Sequence, residues 1–384
     1  MDTRCIEPWR QLQVNSGGAV GPCCYYSNDE NEHHNFVDLY VGNSHMDHIR
    51  QQMRNNELVP GCQHCYTAES KGLQSPRTTW EVEPKLELEE IFVTLGNVCN
   101  MACVFCNPTR SSRLIKQYRR ERGFDPYMDN YIDQQLSYVK DIKTFGKWPT
   151  EQEIWSVLIG LLDENQVKRL HFSGGEPFAN PRLESFLVMQ NRNQILGHSD
   201  TEITITTNSS WTADALKNLR NFKRVLLEIS VDGVGDTYNI QRYPSTWSQF
   251  QSQMHMLKES GLEADLLFTI VPNALNAHCL LDWHDYFKFK GNIQAHILQD
   301  QPHLSIAHLP DNRKALLRQQ LEQMNNFSEE DRNNILAELD MPAKKAQVNK
   351  LTRLVNTWQL TRHQNIWETI GWRHDEENTN NGQS

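Results

Sequence analysis

Three cysteines, Cys99, Cys103 and Cys106, follow directly on the apolar run Ile91 to Leu95. Thiolates on so tight a loop can converge on one metal centre. A structural zinc site would need a fourth closing ligand, and the nearest downstream histidine is His171. An iron-sulfur cluster held by three thiolates instead leaves one iron without a protein ligand. Such an open iron can bind and activate a small molecule. Buried packing, with the cysteines acting as small hydrophobes, is the third reading.

The remaining cysteines are grouped as well. Eight of the nine fall before residue 107, as Cys5, Cys23-Cys24, Cys62 with Cys65 and the trio above, and Cys279 stands apart. The opening Met1-Asp2-Thr3-Arg4 lacks the apolar core of a secretion signal, and no run of about 18 apolar residues occurs. The expected compartment is therefore the reducing cytoplasm, where grouped cysteines bind metal more often than they pair. No membrane partner is expected. A formal charge of −10 over 384 residues argues against a sequence-independent hold on nucleic acid.

These residues need a scaffold, and the hydrophobic pattern supplies one. From residue 86, short apolar runs alternate with helical patterns, which is the mark of βα units and a parallel sheet. The strands expected are Glu90 to Leu95, Lys168 to Phe172, Glu202 to Thr207, Val225 to Val231, Ala264 to Val271 and Ile293 to Leu298. Helices are expected over Pro181 to Arg192, Thr212 to Asn221, Thr246 to Ser260 and Asn276 to Phe289, each opened by a residue that can cap. A full eight-unit barrel needs about 250 residues. Residues 86–300 suit six units, with an insert at 107–167 holding helices near Arg110 to Arg122, Asn130 to Phe145 and Glu151 to Asp163. The fold class expected is α/β, a partial (β/α)6 barrel, with a small cysteine-rich domain at 1–85 and a helical extension at 301–373. The segment 374–384 carries no apolar residue and is expected to be disordered.

The trio's C-x3-C-x2-C spacing, with Phe105 just before the last cysteine, resembles the radical SAM superfamily. The resemblance implies a [4Fe-4S] cluster on Cys99, Cys103 and Cys106 that reductively cleaves S-adenosylmethionine, with an external one-electron donor. It also implies cofactor-binding positions at strand ends. Ser173-Gly174-Gly175-Glu176-Pro177 is similar to the family's GGEP motif, which meets the methionine amino group. Asn208, at the end of Thr206-Thr207-Asn208, and Ser230 and Asp232, in Ser230-Val231-Asp232-Gly233, match strand ends that contact ribose and carboxylate. Arg242 matches an arginine that pairs with that carboxylate, Asn273 and Asn276 fall at the strand end that cradles the adenine, and Phe105 packs near it.

Cys5, Cys23, Cys62 and Cys65, with Gly18, resemble the cysteine pattern of SPASM and twitch domains, which implies one auxiliary [4Fe-4S] cluster and leaves Cys24 spare. Relatives place that domain after the barrel, whereas here it comes first. A structural zinc on the same four thiolates stays open. The resemblance covers about residues 5–300 and implies an enzyme acting on a peptide or protein. The alternatives are a dehydrogenase of a carbohydrate or nucleotide-derived molecule, and a non-catalytic iron-sulfur or zinc binding module.

Overall fold

A computed structural model describes residues 3–23, 25–27, 44–70, 75, 77, 88–139, 155–160, 167–193, 201–298 and 301–373. Cys24 and the segment 374–384, both subjects of expectations above, lie outside these. The core is one sheet of eight strands in the order β2-β1-β3-β4-β5-β6-β7-β8. From β1 (Gln11–Val14) through β3 (Glu90–Thr94), β4 (Arg169–Ser173), β5 (Glu202–Thr207), β6 (Arg224–Ser230), β7 (Asp265–Ile270) and β8 (Asn292–Ala295), all neighbours are parallel. Only β2 (Val20–Gly21) runs antiparallel, against β1.

Six of these strands match the expected ones to within a few residues. The other two, β1 and β2, come from the front segment. The expected boundary at residue 86 therefore cuts through the sheet, since Gln11 to Val14 pair in register with Glu90 to Val93.

Strand alternation sorts side chains between two faces. Ile91, Val93, Leu170, Phe172, Ile203, Ile205, Leu227 and Ile229 are all at most 3% exposed, in one core with Leu183, Phe186 and Leu216 of the crossover helices. The alternate residues, Phe92, His171, Thr206 and Glu228 among them, are only half-buried. One sheet face is thus sealed by helices, and the other carries polar side chains.

Local signals set the helix starts. Ser111 accepts a hydrogen bond from Leu114 N and opens the Ser112–Glu121 helix, and Thr246 with Gln249 forms a capping box ahead of Trp247–Ser260. The second insert helix begins earlier than expected, at Pro126–Ser137, because Asp125 caps it and Pro126 occupies its first turn. A short helix at Gly235–Gln241 was not expected, and it has no side-chain cap to announce it.

The carboxyl-terminal helices Asp311–Leu321, Glu329–Leu339 and Lys345–Arg362 bury Leu317, Leu321, Leu351, Leu354 and Trp358 in the same core. Beside them His303 is fully buried, edge-on to Tyr131, with neither ring nitrogen hydrogen-bonded. Burial first, then Lys350 and His308, push its pKa down to about 3 from the usual 6.5. The folded chain therefore resists protonating it. Stability from this residue is complete above pH 6.5 and is lost as pH falls toward 3. At pH 5 the loss is about 2 kcal/mol. Urea midpoints at pH 7 and pH 5 should differ less in His303→Phe than in the parent chain, and equal differences would contradict this reading.

Candidate cofactor site

The loop Cys99 to Cys106 leaves the carboxyl end of β3 and is tied down on several sides. Cys99 N donates to Ser112 Oγ at 3.3 Å, and Ser111 Oγ donates to Met101 O at 2.5 Å. Ala102 N donates to Tyr243 O at 2.7 Å and Val104 N to Gln241 O at 3.1 Å. Gln301 Nε2 reaches Cys106 O at 3.3 Å. The insert, the segment after β6 and the segment after β8 therefore all fix the cysteine loop.

Across the strand ends, the glycine pair packs against this loop. Gly175 N donates to Gly96 O at 3.1 Å and Glu176 N to Val98 O at 2.8 Å. Gly174 has φ +124°, and a Cβ on Gly175 would sit 2.3 Å from Val98 O. Glycine is needed here for close approach of two loops of the protein itself, in addition to any approach to a ligand. Glu176 is buried and accepts from Thr207 Oγ1 and Asn208 N, each at 2.7 Å, and from Phe178 N at 3.1 Å. Burial raises its pKa to about 7 against these donors. The carboxyl group thus braces β4 to β5.

Asn208 completes the link, donating through Nδ2 to Asn100 Oδ1 at 2.9 Å and lying 3.9 Å from Cys99 Sγ. Ser230, half-buried, accepts from Thr269 Oγ1 at 3.4 Å. Asn273 and Asn276 are fully buried, and their amides hold the loop after β7: Asn276 Nδ2 donates to Asp232 O and Val271 O at 3.0 Å, and Asn273 pairs with Gln241.

Arg242 differs most from expectation. It is a buried residue, ion-paired through Nη2 with the fully buried Asp232, and Nη1 lies 3.6 Å from Cys103 Sγ. Its guanidinium also stands over the Phe105 ring, 5.2 Å from the centroid. Burial disfavours its charge, but Asp232 and then Cys103 hold it charged. Asp232 in turn is raised by burial and lowered by Arg242. The arginine is therefore engaged inside the protein, where the sequence reading had it forked on a ligand carboxylate.

The trio suits an iron-sulfur cluster chemically. Burial raises all three thiol pKa values, that of Cys106 to about 12; Cys103 adds repulsion at Cys99 and Cys106, while Arg242 opposes the rise at Cys103. Three such groups ionise together only if a bound cation neutralises them. Met101 N at 3.4 Å and Asn208 Nδ2 offer donors to Cys99 Sγ, and Arg242 offers one to Cys103 Sγ. Contacts of this type tune a cluster.

Cys5, Cys23, Cys62 and Cys65 line one pocket together with Tyr26 and Arg77. Burial first, with neighbouring negative charge adding to it, raises Cys5 and Cys62 to about 12. Among the described residues, no three His, Cys, Asp or Glu side chains are arranged to hold a single metal ion. Zinc with thiolates at about 2.3 Å would draw its sulfurs to within about 4 Å of one another. A multi-iron cluster binds each thiolate to a separate iron and so accepts a wider set. Cys279 is buried apart from both groups, hydrogen-bonded near Thr237 and Val234.

One contributor was invisible in the sequence. Arg362, at the end of the last long helix, is fully buried 3.9 Å from Glu121 Oε1 and stacks between Trp358 and Tyr243, the residue whose carbonyl holds Ala102. Arg362 also lowers the pKa of Cys103, so its charge is felt at the trio. No local pattern signals a pair drawn from two distant helices.

Residues 93–278 match the family model described as the Radical SAM superfamily. No curated protein matches the chain. Similar solved structures include anSMEcpe with bound AdoMet, 17% identical over 62% of this chain and 58% of that one, with a TM-score of 0.42. Streptococcus suis SuiB bound to precursor peptide SuiA is 14% identical over 84% of this chain and 72% of that one, with a TM-score of 0.36. Coproporphyrinogen III oxidase (HemN) from Escherichia coli, described as a radical SAM enzyme, is 14% identical over 70% and 52%, with a TM-score of 0.32. The chain thus spans 58% of the length of anSMEcpe. Members of the matched superfamily bind a [4Fe-4S] cluster and S-adenosylmethionine. The cysteine trio, Gly174 to Glu176, Asn208, Ser230 and Arg242 all lie inside the segment that matches this family model.

Proposed function

We propose that the chain uses S-adenosylmethionine to abstract hydrogen from a peptide or protein. The observation that carries this is the convergence of Cys99, Cys103 and Cys106 with Gly174 to Glu176 and Asn208 at neighbouring parallel strand ends. Strand carboxyl ends are where such sheets bind ligands. When bound, a [4Fe-4S] cluster supplies the electron that splits S-adenosylmethionine into methionine and a 5'-deoxyadenosyl radical.

The chain's own residues hold and shield. Cys99, Cys103 and Cys106 would provide three thiolates; backbone groups of Gly174 and Gly175 would hold the amino acid part of the cofactor; Asn208 and Ser230 would offer polar atoms to its ribose and carboxylate. Glu176 keeps β4 and β5 in place. Phe105 and the Asp232-Arg242 pair close the site behind Cys103, and Arg242 acts on the cofactor only through that position. The electron comes from an external donor, and the compartment is the cytoplasm.

Cys5, Cys23, Cys62 and Cys65 hold an auxiliary [4Fe-4S] cluster in a SPASM-like or twitch-like segment. That pattern favours a peptide or protein as substrate over a carbohydrate or nucleotide-derived molecule. Iron analysis after anaerobic reconstitution tests both sites. The parent chain should bind about eight irons, and the joint change of Cys99, Cys103 and Cys106 to Ala should leave about four. About four irons with one zinc in the parent would remove the auxiliary cluster.

A further inference from the structure

The polar face of the sheet carries a group of side chains that the cofactor does not need. Phe92 and His171 are opposite each other on β3 and β4, and Thr206 and Glu228 are opposite on β5 and β6. His171 precedes Ser173 by two residues, Thr206 precedes Asn208 by two, and Glu228 precedes Ser230 by two. At about 3.3 Å per residue, each lies roughly 7 Å deeper than the end of its own strand, in a stepped layer: because His171 is opposite Thr204, it sits one residue pair below Thr206 and Glu228 in the sheet register.

Their hydrogen bonds have a fixed direction. Thr206 Oγ1 donates to Glu228 Oε2 at 2.5 Å. Its single proton being used there, the same oxygen accepts from His171 Nε2 at 2.8 Å. His171 therefore carries its proton on Nε2, and its desolvation lowers the pKa although Glu228 and then Glu90 oppose this. A neutral imidazole leaves the Glu228 charge uncompensated.

Nothing else in the layer compensates it. Arg169 is engaged by Glu90 at 2.8 Å, Arg224 by Asp265 at 2.5 Å, and Lys168 and Arg10 by Glu89 at 2.8 and 3.2 Å. Among the described residues no Lys or Arg pairs with Glu228, whose side chain is 24% exposed. The Phe92 ring packs 4.2 Å from the His171 ring and remains half-buried. A half-buried carboxylate with no paired Lys or Arg is an arrangement that attracts a cation.

We propose that His171, Thr206 and Glu228 form a recognition site for a positively charged amine or guanidine group of the substrate, with Glu228 as its counter-ion. This rests on the radical SAM reading, because the layer lies beneath the cofactor site where a substrate group would meet the radical. The step is one of binding only. Glu228 accepts hydrogen bonds from the substrate cation, Thr206 holds the carboxylate in place, His171 fixes Thr206, and Phe92 packs on the His171 ring.

The test is calorimetry on the reconstituted, S-adenosylmethionine-loaded protein with three probes: the methylamides of Nα-acetyl-lysine, Nα-acetyl-arginine and the neutral Nα-acetyl-norleucine. At least one cationic probe should bind about tenfold or more tightly than the norleucine probe, the magnitude of one charge-assisted pair. The lysine and arginine arms tell ammonium from guanidinium. In Glu228→Gln that preference should fall below about threefold. Equal or undetectable binding of all three probes by the parent protein, or a preference that survives in Glu228→Gln, would overturn the site. The parent comparison decides the matter even if the variant fails to fold. Release of 5'-deoxyadenosine by the parent protein separately tests the underlying reading, so a site that fails in a protein that still cleaves the cofactor refutes the site alone.

Discussion

Changing Arg362 to Met is expected to lower the stability of the chain by about 3 to 5 kcal/mol, the cost of breaking a buried ion pair from one side. Glu121 would be left fully buried with neutral donors, among them Gln117 Nε2 at 2.8 Å and Thr361 Oγ1 at 3.4 Å. Burial already raises its pKa against the pull of Arg362, so loss of the cation would favour protonation or local opening. None of the three guanidinium nitrogens of Arg362 has a hydrogen bond, and its surroundings are the rings of Trp358 and Tyr243. The pair therefore gains little from hydrogen bonding. Removing both charges, as Glu121→Gln with Arg362→Met, should recover most of the loss, because neutral groups of similar volume often replace such pairs at no net cost. Urea unfolding of the two single variants and the double variant gives the coupling directly. A loss under about 1 kcal/mol for Arg362→Met would contradict this account of the pair.

The second large effect is at Arg242. Arg242→Met removes the cation from Asp232, which is fully buried and otherwise receives Val271 N at 2.7 Å. A loss of about 3 to 5 kcal/mol is again expected, and Asp232→Asn in the same chain should restore much of it. An arginine held only by a ligand carboxylate would behave differently. Its removal would leave the stability of the ligand-free chain unchanged and weaken S-adenosylmethionine binding by about 1.5 to 3 kcal/mol. Unfolding of the ligand-free variant distinguishes the two. The arginine's contacts with Cys103 and Phe105 place any effect on the cofactor downstream of this structural one.

The contrast between Arg242 and the trio shows how far sequence carries. The trio could be singled out because its members are local: Cys99, Cys103 and Cys106 share one loop, and their spacing restricts the chemistry they could do. β3 to β6 were legible because parallel strands under helices alternate sealed and polar residues, as Glu202–Thr207 does without a break, whereas β7 and β8 were legible as short apolar runs between helical patterns. Strand β1 was not. Gln11–Val14 has four residues, and its partner β3 begins at Glu90. So short a strand is recognisable only through its neighbours. The internal partner of Arg242 lies ten residues away in sequence, but its choice of Asp232 depends on burial, which no local pattern reports. The same holds for Arg362 and Glu121. The glycine pair, picked out by its likeness to the GGEP motif, follows β4, and only the structure shows that Gly175 must also clear Val98 O.

The central claim is that the cysteine loop makes this chain a cleaver of S-adenosylmethionine. It is tested most directly by reconstituting the full chain with iron and sulfide without oxygen, adding dithionite and S-adenosylmethionine, and measuring 5'-deoxyadenosine. The account predicts its release by the parent chain, and none when Cys99, Cys103 and Cys106 are changed together to Ala. No release from a parent chain that has bound its full iron, or equal release from the variant, would contradict it.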